Sequence, residues 1–124
     1  MSTRTSVVRA GVALAVMVAA GATRVAPASA DPSPTSPVAQ LLVVESGHKD
    51  YKSFHGAVWL QEDKATTNYR WGGSQCAGKD VSDSTIQLLF AAFRSGDQVT
   101  IDFVPTDIKG KQYRCVTAVT FSKT

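Results

Sequence analysis

The chain has 124 residues, of which 13 are Lys or Arg and 10 are Asp or Glu, so its formal net charge is +3. Three of the basic residues, Arg4, Arg9 and Arg24, precede Asp31, whereas every acidic residue lies at or after that position, so residues 31–124 carry no formal net charge. Because this part also has no run of basic residues, its composition argues against nucleic acid or an anionic membrane surface as a partner.

The first predicted element is an export signal over residues 1–30. Arg4 and Arg9 supply a positive start, residues 10–22 are all small or apolar, and Ala28-Ser29-Ala30 has the small-x-small pattern of a cleavage site. The apolar stretch is shorter than the ~20 residues that a membrane-spanning helix needs, although an uncleaved anchor is the alternative. We therefore expect a secreted or periplasmic protein.

The exported part is predicted to form one small domain over residues 38–124, preceded by a flexible Pro- and Ser-rich tail at residues 31–37. Cys76 and Cys115 are the two cysteines of the chain. An even cysteine count and an oxidising compartment predict a disulfide between them, and a free catalytic thiol is the alternative. In the chain-entropy picture such a bridge is worth roughly 4 kcal/mol.

Three strands are predicted in the first half of the domain. Residues 38–45 (VAQLLVVE) are rich in Val and Leu, residues 54–61 (FHGAVWLQ) form a second candidate, and residues 68–71 (NYRW) form a short third one. Polar segments with turn-forming residues separate them, and Gly72-Gly73 ends the third strand as a simple turn.

An amphipathic helix follows. Ser84 and Gln87 have the spacing of a capping box, and Gly96 suits the position after the last helical turn. A single apolar stripe follows the helical repeat and contains Ile86, Leu89, Phe90 and Phe93. We expect this stripe to pack in the core, with Phe90 at its centre; contact with a partner or a membrane is the alternative.

Two further strands, residues 97–104 and 113–122, are predicted to form an antiparallel hairpin. In the second of them, Tyr113, Cys115, Val119 and Phe121 are expected to share one face. The order of three strands, one helix and two strands predicts a mainly β fold, a small five-stranded barrel of the OB type. An antiparallel sheet with one helix packed across it is the alternative.

This order of elements resembles the B subunits of bacterial AB5-type toxins and small exported OB-fold proteins like them. The segments that carry the resemblance are the loop at Cys76, the helix 84–93, Ser95-Gly96, the strand 99–103 and residues 114–119. At the family level it implies pentamers that bind cell-surface glycans. The chain departs from the cholera-type members, in which one cysteine precedes the barrel, so the resemblance implies the fold and no sugar-binding residues.

Catalytic and metal-binding patterns are weak. His48 and His55, with a carboxylate such as Glu45, have the side chains for acid–base chemistry, but their spacing of seven is no catalytic signature, and surface histidines are the simpler interpretation. The sequence has no HExxH motif, no CxxC motif and no Gly-rich phosphate loop, so neither a metal nor a cofactor is expected.

The strongest candidate for ligand binding is the run Asn68-Tyr69-Arg70-Trp71. Strand alternation places Tyr69 and Trp71 on one face and Asn68 and Arg70 on the other, and the two aromatic residues are alternatively core residues. If Arg70 lies on the contact surface, Arg70→Ala is expected to weaken binding and to leave the melting curve nearly unchanged.

The sequence as a whole therefore predicts an exported, non-enzymatic binding module that contacts a glycan or a protein surface, with the formation of a homo-oligomer left open. A secreted enzyme inhibitor or interaction protein is the first alternative. A small secreted hydrolase that uses His48 or His55 is the second.

Overall fold

The computed structural model describes residues 30–123, so the predicted export signal lies, except for Ala30, outside the described residues. Seven elements follow one another along the chain: β1 (Asp31–Pro32), β2 (Ser36–Val43), β3 (Gly56–Glu62), β4 (Ala65–Trp71), α1 (Asp83–Ser95), β5 (Gln98–Ile108) and β6 (Lys111–Ser122). The five long strands are the predicted ones, and each extends further or begins earlier than the alternating pattern alone indicated. Among residues 30–123, no helix is long and apolar enough to cross a membrane.

The five long strands close into a barrel. Their neighbours run in the order β5-β2-β3-β4-β6, and β6 pairs with β5 to complete the circle. All pairings are antiparallel except the contact between β4 and β6, where Arg70 lies opposite Cys115. This order, with α1 between the third and fourth barrel strands, is that of an OB-type barrel. The predicted fold class is therefore confirmed, and closure excludes the alternative of an open antiparallel sheet.

The core fills the space between the inner faces of the strands and one side of α1. Inner and outer residues alternate along each strand, which explains why Val58 and Leu60 are buried while Trp59 between them is only half-buried. The buried apolar cluster contains Val38, Val58, Leu60, Tyr69, Trp71, Leu89, Ala92, Val99, Ile101 and Val116.

The segment predicted as a flexible tail, residues 31–37, is instead held against β5. Asp31 and Pro32 pair with Phe103 and Asp102. The backbone N–H of Ser33 donates to the carbonyl of Ile101 at 2.7 Å, and the Ser33 hydroxyl accepts from the N–H of Ile101 at 2.8 Å. Composition indicated flexibility because prolines cannot donate in a ladder, but prolines are tolerated at a sheet edge, and Ser33 between two of them both donates to and accepts from Ile101.

The helix begins two residues earlier than predicted. The hydroxyl of Ser82, not that of Ser84, accepts a hydrogen bond from the N–H of Thr85 at 3.2 Å and caps the helix. Gly96 ends the helix in the left-handed conformation, with φ of 82°, as the sequence predicted.

The expected burial of Phe90 is wrong. Leu89 and Ala92 face the core, whereas Phe90 is 50% exposed and Phe93 is 44% exposed. Successive helical residues are about 100° apart, so a helix centred on Leu89 turns Phe90 to its flank. The apolar stripe is wider than the part of α1 that the small barrel covers.

A bulge in β6 changes which residues face the core. Asp102 pairs with Ala118 and Phe103 pairs with Val116, which leaves Thr117 as an extra residue. The inner side therefore holds Val116 and Val119, while residues before the bulge, including Tyr113 and Cys115, take the outer side. The predicted common face for Tyr113, Cys115, Val119 and Phe121 is thus wrong, and Tyr113 lies instead on the outside near Arg70.

Candidate functional site

The run Asn68-Tyr69-Arg70-Trp71 is divided between the two sides of β4. Tyr69 and Trp71 are 2% and 1% exposed and belong to the core cluster. They cannot touch a ligand on the barrel surface, so their predicted ligand-binding role is corrected to a packing role. Asn68 and Arg70 point outward and are half-buried.

Arg70 is surrounded by neutral groups. Its Nε donates to Oδ1 of Asn68 at 3.1 Å, and its Nη1 donates to Oε1 of Gln75 at 2.7 Å. The guanidinium carbon lies 4.3 Å from the ring centre of Phe54 and 5.2 Å from that of Tyr113. Amide oxygens and aromatic rings both favour a cation, so the side chain is held in one place without a carboxylate.

The charge of Arg70 is unmatched in the described residues. The ion pairs within residues 30–123 join His48 to Asp50 and His55 to Asp80, and neither includes Arg70. A guanidinium has five N–H donors, of which the described hydrogen bonds use two. Three donors on Nη1 and Nη2 have no acceptor among the described residues.

Trp59 extends this surface along β3. It lies directly opposite Asn68 in the β3–β4 pairing and is half-buried. Beside it, Nδ2 of Asn68 is buried and has no hydrogen-bond partner in the described residues. We use the name Arg70 surface for the set formed by Phe54, Trp59, Asn68, Arg70, Gln75 and Tyr113. Two of its members, Asn68 and Arg70, are site residues that the sequence predicted.

Two glycines allow Phe54 and Gln75 to reach Arg70. Gly72 and Gly73 have φ of 74° and 70°, a conformation that other residues rarely adopt. A Cβ at Gly73 would overlap the backbone of Ser53 and Phe54, and one at Gly72 would overlap the ring of His55. The pair is therefore more than a turn, because it lets the loop after β4 dock closely on the loop of residues 44–55.

Backbone hydrogen bonds then hold the two loops together. The N–H of Gln75 donates to the carbonyl of Ser53 at 2.9 Å, and the N–H of Ser74 donates to that of Lys52 at 2.9 Å. These contacts fix Phe54 on one side of Arg70 and Gln75 on another. The signal in the sequence is the Gly72-Gly73 pair, but its docking partner is some twenty residues away and the pattern alone does not reveal it.

The disulfide joins the remaining side of the surface. Cys76 and Cys115 are bonded with their Cα atoms 5.5 Å apart, and the described residues contain no free cysteine. The predicted pairing is thus present. Because Gln75 precedes Cys76 and Tyr113 lies two residues before Cys115, the bridge holds the loop and β6 together where they contact Arg70.

The histidines do not come together as a catalytic pair. Nδ1 of His48 accepts from the N–H of Asp50 at 3.0 Å within a turn. Nδ1 of His55 lies 2.9 Å from Oδ2 of Asp80, and its ring stacks on Tyr51 with ring centres 4.0 Å apart. In the described residues neither histidine ring hydrogen-bonds the other ring or the carboxylate of Glu45, so the predicted acid–base set is not joined by direct hydrogen bonds.

A separate cleft of about 250 Å³ lies between the start of α1 and the end of β6. It is lined by Asp80, Val81, Ser82, Thr85 and residues 116–119, none of which belongs to the Arg70 surface. Within residues 30–123, no group of three or more His, Cys, Asp or Glu side chains is arranged to hold a metal ion.

Comparison of the chain with protein-family models, with curated proteins and with solved structures gave no match.

Proposed function

We propose that this protein is an exported, non-enzymatic binding module and that the Arg70 surface is its contact site. The observation that carries the proposal is the half-buried guanidinium of Arg70, which is fixed by neutral groups and keeps three N–H donors without a protein acceptor. Those three donors add no hydrogen bond within the protein, whereas an external ligand gains a prepared set of donors.

The position on the barrel supports the same conclusion. OB-type barrels bind oligosaccharides and oligonucleotides on their second and third strands and in the loops that join strands one to two and four to five. The corresponding elements here are β3, β4, the loop of residues 44–55 and the β5–β6 hairpin. β3, β4 and the loop of residues 44–55 supply four of the six members of the Arg70 surface, Tyr113 lies on β6 near its turn with β5, and Gln75 comes from the loop after β4.

A glycan is the ligand class that fits the surface best. Aromatic rings such as those of Trp59 and Tyr113 stack on the apolar faces of sugars, while the Arg70 guanidinium donates to sugar oxygens. An oligonucleotide would need several basic groups, and residues 31–124 have no net charge. The resemblance to toxin B subunits points in the same direction.

A second observation favours contact between copies of this chain. From Val116 to Ser122, β6 pairs with β5 on one side, and its other edge has no strand partner among the described residues. This segment, VTAVTFS, carries no charge and no proline, which are two of the features that protect a free edge from pairing. Together with the resemblance, it supports a homo-oligomer, which the mass of the native protein in solution will test.

The two alternatives predict different results. An enzyme inhibitor or other interaction protein would bind a protein surface and no glycan, using exposed apolar residues such as Leu88 and Phe90. A hydrolase would show turnover that His48→Ala or His55→Ala abolishes. Binding without turnover is what we propose.

The test is a glycan array probed with the protein exported from an expression host, in three forms: wild type, Arg70→Ala and Arg94→Ala. Arg94 is a matched control because it also lies against an aromatic ring, that of Phe90, but on α1. We expect wild type and Arg94→Ala to bind the same glycans and Arg70→Ala to lose at least about tenfold in affinity. Equal binding by all three forms, or hydrolysis of the bound glycans, would overturn the proposal.

A further inference from the structure

We infer that the ligand of the Arg70 surface carries a carboxylate, so that the module selects acidic glycans over neutral ones. The inference rests on the proposed function and specifies the chemical class of the ligand. Its basis is the set of atoms around the Arg70 guanidinium. These atoms leave three of its N–H donors without an acceptor and do not neutralise its charge.

The available part of the guanidinium has a definite position. Nε is engaged by Asn68, and one hydrogen of Nη1 is engaged by Gln75, both in hydrogen bonds of ordinary length. One N–H donor remains on Nη1 and two remain on Nη2. A carboxylate accepts two parallel hydrogen bonds from such a pair of nitrogens, and its plane matches that of the guanidinium.

The charge balance of the surface favours a ligand with a single negative charge. Asn68 and Gln75 supply neutral oxygens, and Phe54 and Tyr113 supply the negative faces of aromatic rings. These groups stabilise a cation without neutralising it, and a half-buried cation gains most from a charged partner. A phosphate monoester brings nearly two negative charges, which is more than one guanidinium neutralises.

The surface also holds the cation in place before a ligand arrives. The Gly72-Gly73 loop contact and the Cys76–Cys115 bridge fix the segments that carry Phe54, Gln75 and Tyr113. A preorganised guanidinium loses less conformational entropy on binding than a free surface arginine does. If Arg70 had a purely structural role, an acidic neighbour would hold it as well as a neutral one does. Introducing an acidic neighbour therefore separates a structural role from ligand binding.

The decisive variant is Gln75→Glu. It keeps an acceptor oxygen beside Nη1 of Arg70 and adds a carboxylate that neutralises the guanidinium from within. We expect the melting temperature to stay the same or rise, while affinity for carboxylated glycans falls at least about tenfold. Gln87→Glu, on the exposed side of α1, makes the same change in net charge elsewhere and is expected to bind like wild type. Asn68→Asp repeats the test beside Nε if Gln75→Glu folds poorly.

The array that reads out these variants contains carboxylated glycans, their methyl esters, sulfated glycans and neutral glycans. Binding to the free acids, with loss on esterification and in Gln75→Glu, is the expected result. Equal binding to neutral glycans or to methyl esters, or binding confined to sulfated glycans, would overturn the inference and leave the proposed function standing. Binding to no glycan of any class would overturn both.

Discussion

The two sides of β4 differ in how completely their polar and charged groups are paired within the protein. On the inner side, Tyr69 and Trp71 are almost fully buried, and the polar atom of Tyr69 has a partner, because its hydroxyl donates to Oε2 of Glu62 at 2.5 Å. On the outer side, Arg70 keeps a charge and several donors unmatched among the described residues. The polar group of the inner face is matched within the protein, whereas the outer face keeps N–H donors that the proposed ligand would use.

The largest expected effect is the loss of stability when Trp71 is removed, compared with the removal of Trp59 from the other side of the sheet. Trp71→Ala removes a fully buried ring and should lower the free energy of unfolding by about 3–5 kcal/mol. Trp59→Ala removes a half-buried ring from the outer face and should cost about 1–2 kcal/mol, together with a loss of glycan binding. Urea unfolding followed by far-UV circular dichroism measures both. Equal costs for the two variants would contradict the assignment of the two faces.

Two adjacent residues of α1, Leu89 and Phe90, give a second comparison between a buried and an exposed side chain. Leu89→Ala should cost about 2–5 kcal/mol because Leu89 is fully buried. Phe90→Ala should cost no more than about 1 kcal/mol, since half of that side chain is already exposed. The same urea experiment tests both variants. A cost for Phe90→Ala of the size expected from the sequence stripe, ~3–5 kcal/mol, would mean that another copy or partner covers this flank in solution.

The sequence predicted what depends on local periodicity. The barrel strands, the helix between the third and fourth of them, the cap at Gly96 and the pairing of Cys76 with Cys115 all follow from patterns within short segments or from counting cysteines. The alternation of β4 also divided the Asn68–Trp71 run correctly into two faces. What alternation cannot tell is which of the two faces is the inner one.

The rest depends on contacts between distant segments. The bulge at Thr117 reverses the faces of β6, and it is set by the register against β5 and not by the residues of β6 alone. Asp80 meets His55 across a loop contact that Gly72 and Gly73 permit. The ordered N-terminal segment depends on a free edge of β5, which composition does not reveal.

Arg70 tests whether the outer face serves stability as well as binding. The sequence predicted that Arg70→Ala would leave the melting curve nearly unchanged. The structure revises this, because the side chain joins β4 to Gln75, Phe54 and Tyr113, so we expect a loss of about 1–2 kcal/mol. Arg94→Ala, which loses one ring contact at an exposed site, should change stability by less than about 0.5 kcal/mol. Identical melting of both variants would show that these contacts contribute nothing.

The smallest expected effect on stability comes from the ionisation of the Tyr69 hydroxyl on the inner face of β4. Burial raises the pKa of Tyr69 above its ordinary value of 10.0, and the hydrogen bond to the Glu62 carboxylate raises it further. The folded state therefore keeps this proton at a pH where the unfolded chain releases it. The stability that results is fully present below pH 10 and is lost as the pH rises above that value toward the folded pKa.

Tyr69→Phe removes this proton and the pH dependence that goes with it. At pH 7 the variant should lose about 1 kcal/mol, the contribution of one buried hydrogen bond. Between pH 9.5 and 11, the unfolding free energy of wild type should fall by about 1 kcal/mol more than that of the variant, since one proton changes stability by ~1.4 kcal/mol per pH unit at most. Urea titrations of both proteins across this range measure the difference, and lysine titration is common to both. Parallel curves up to pH 11 would mean that the phenol ionises as easily in the fold as in water, and that the inner face of β4 is less closed than Tyr69 indicates.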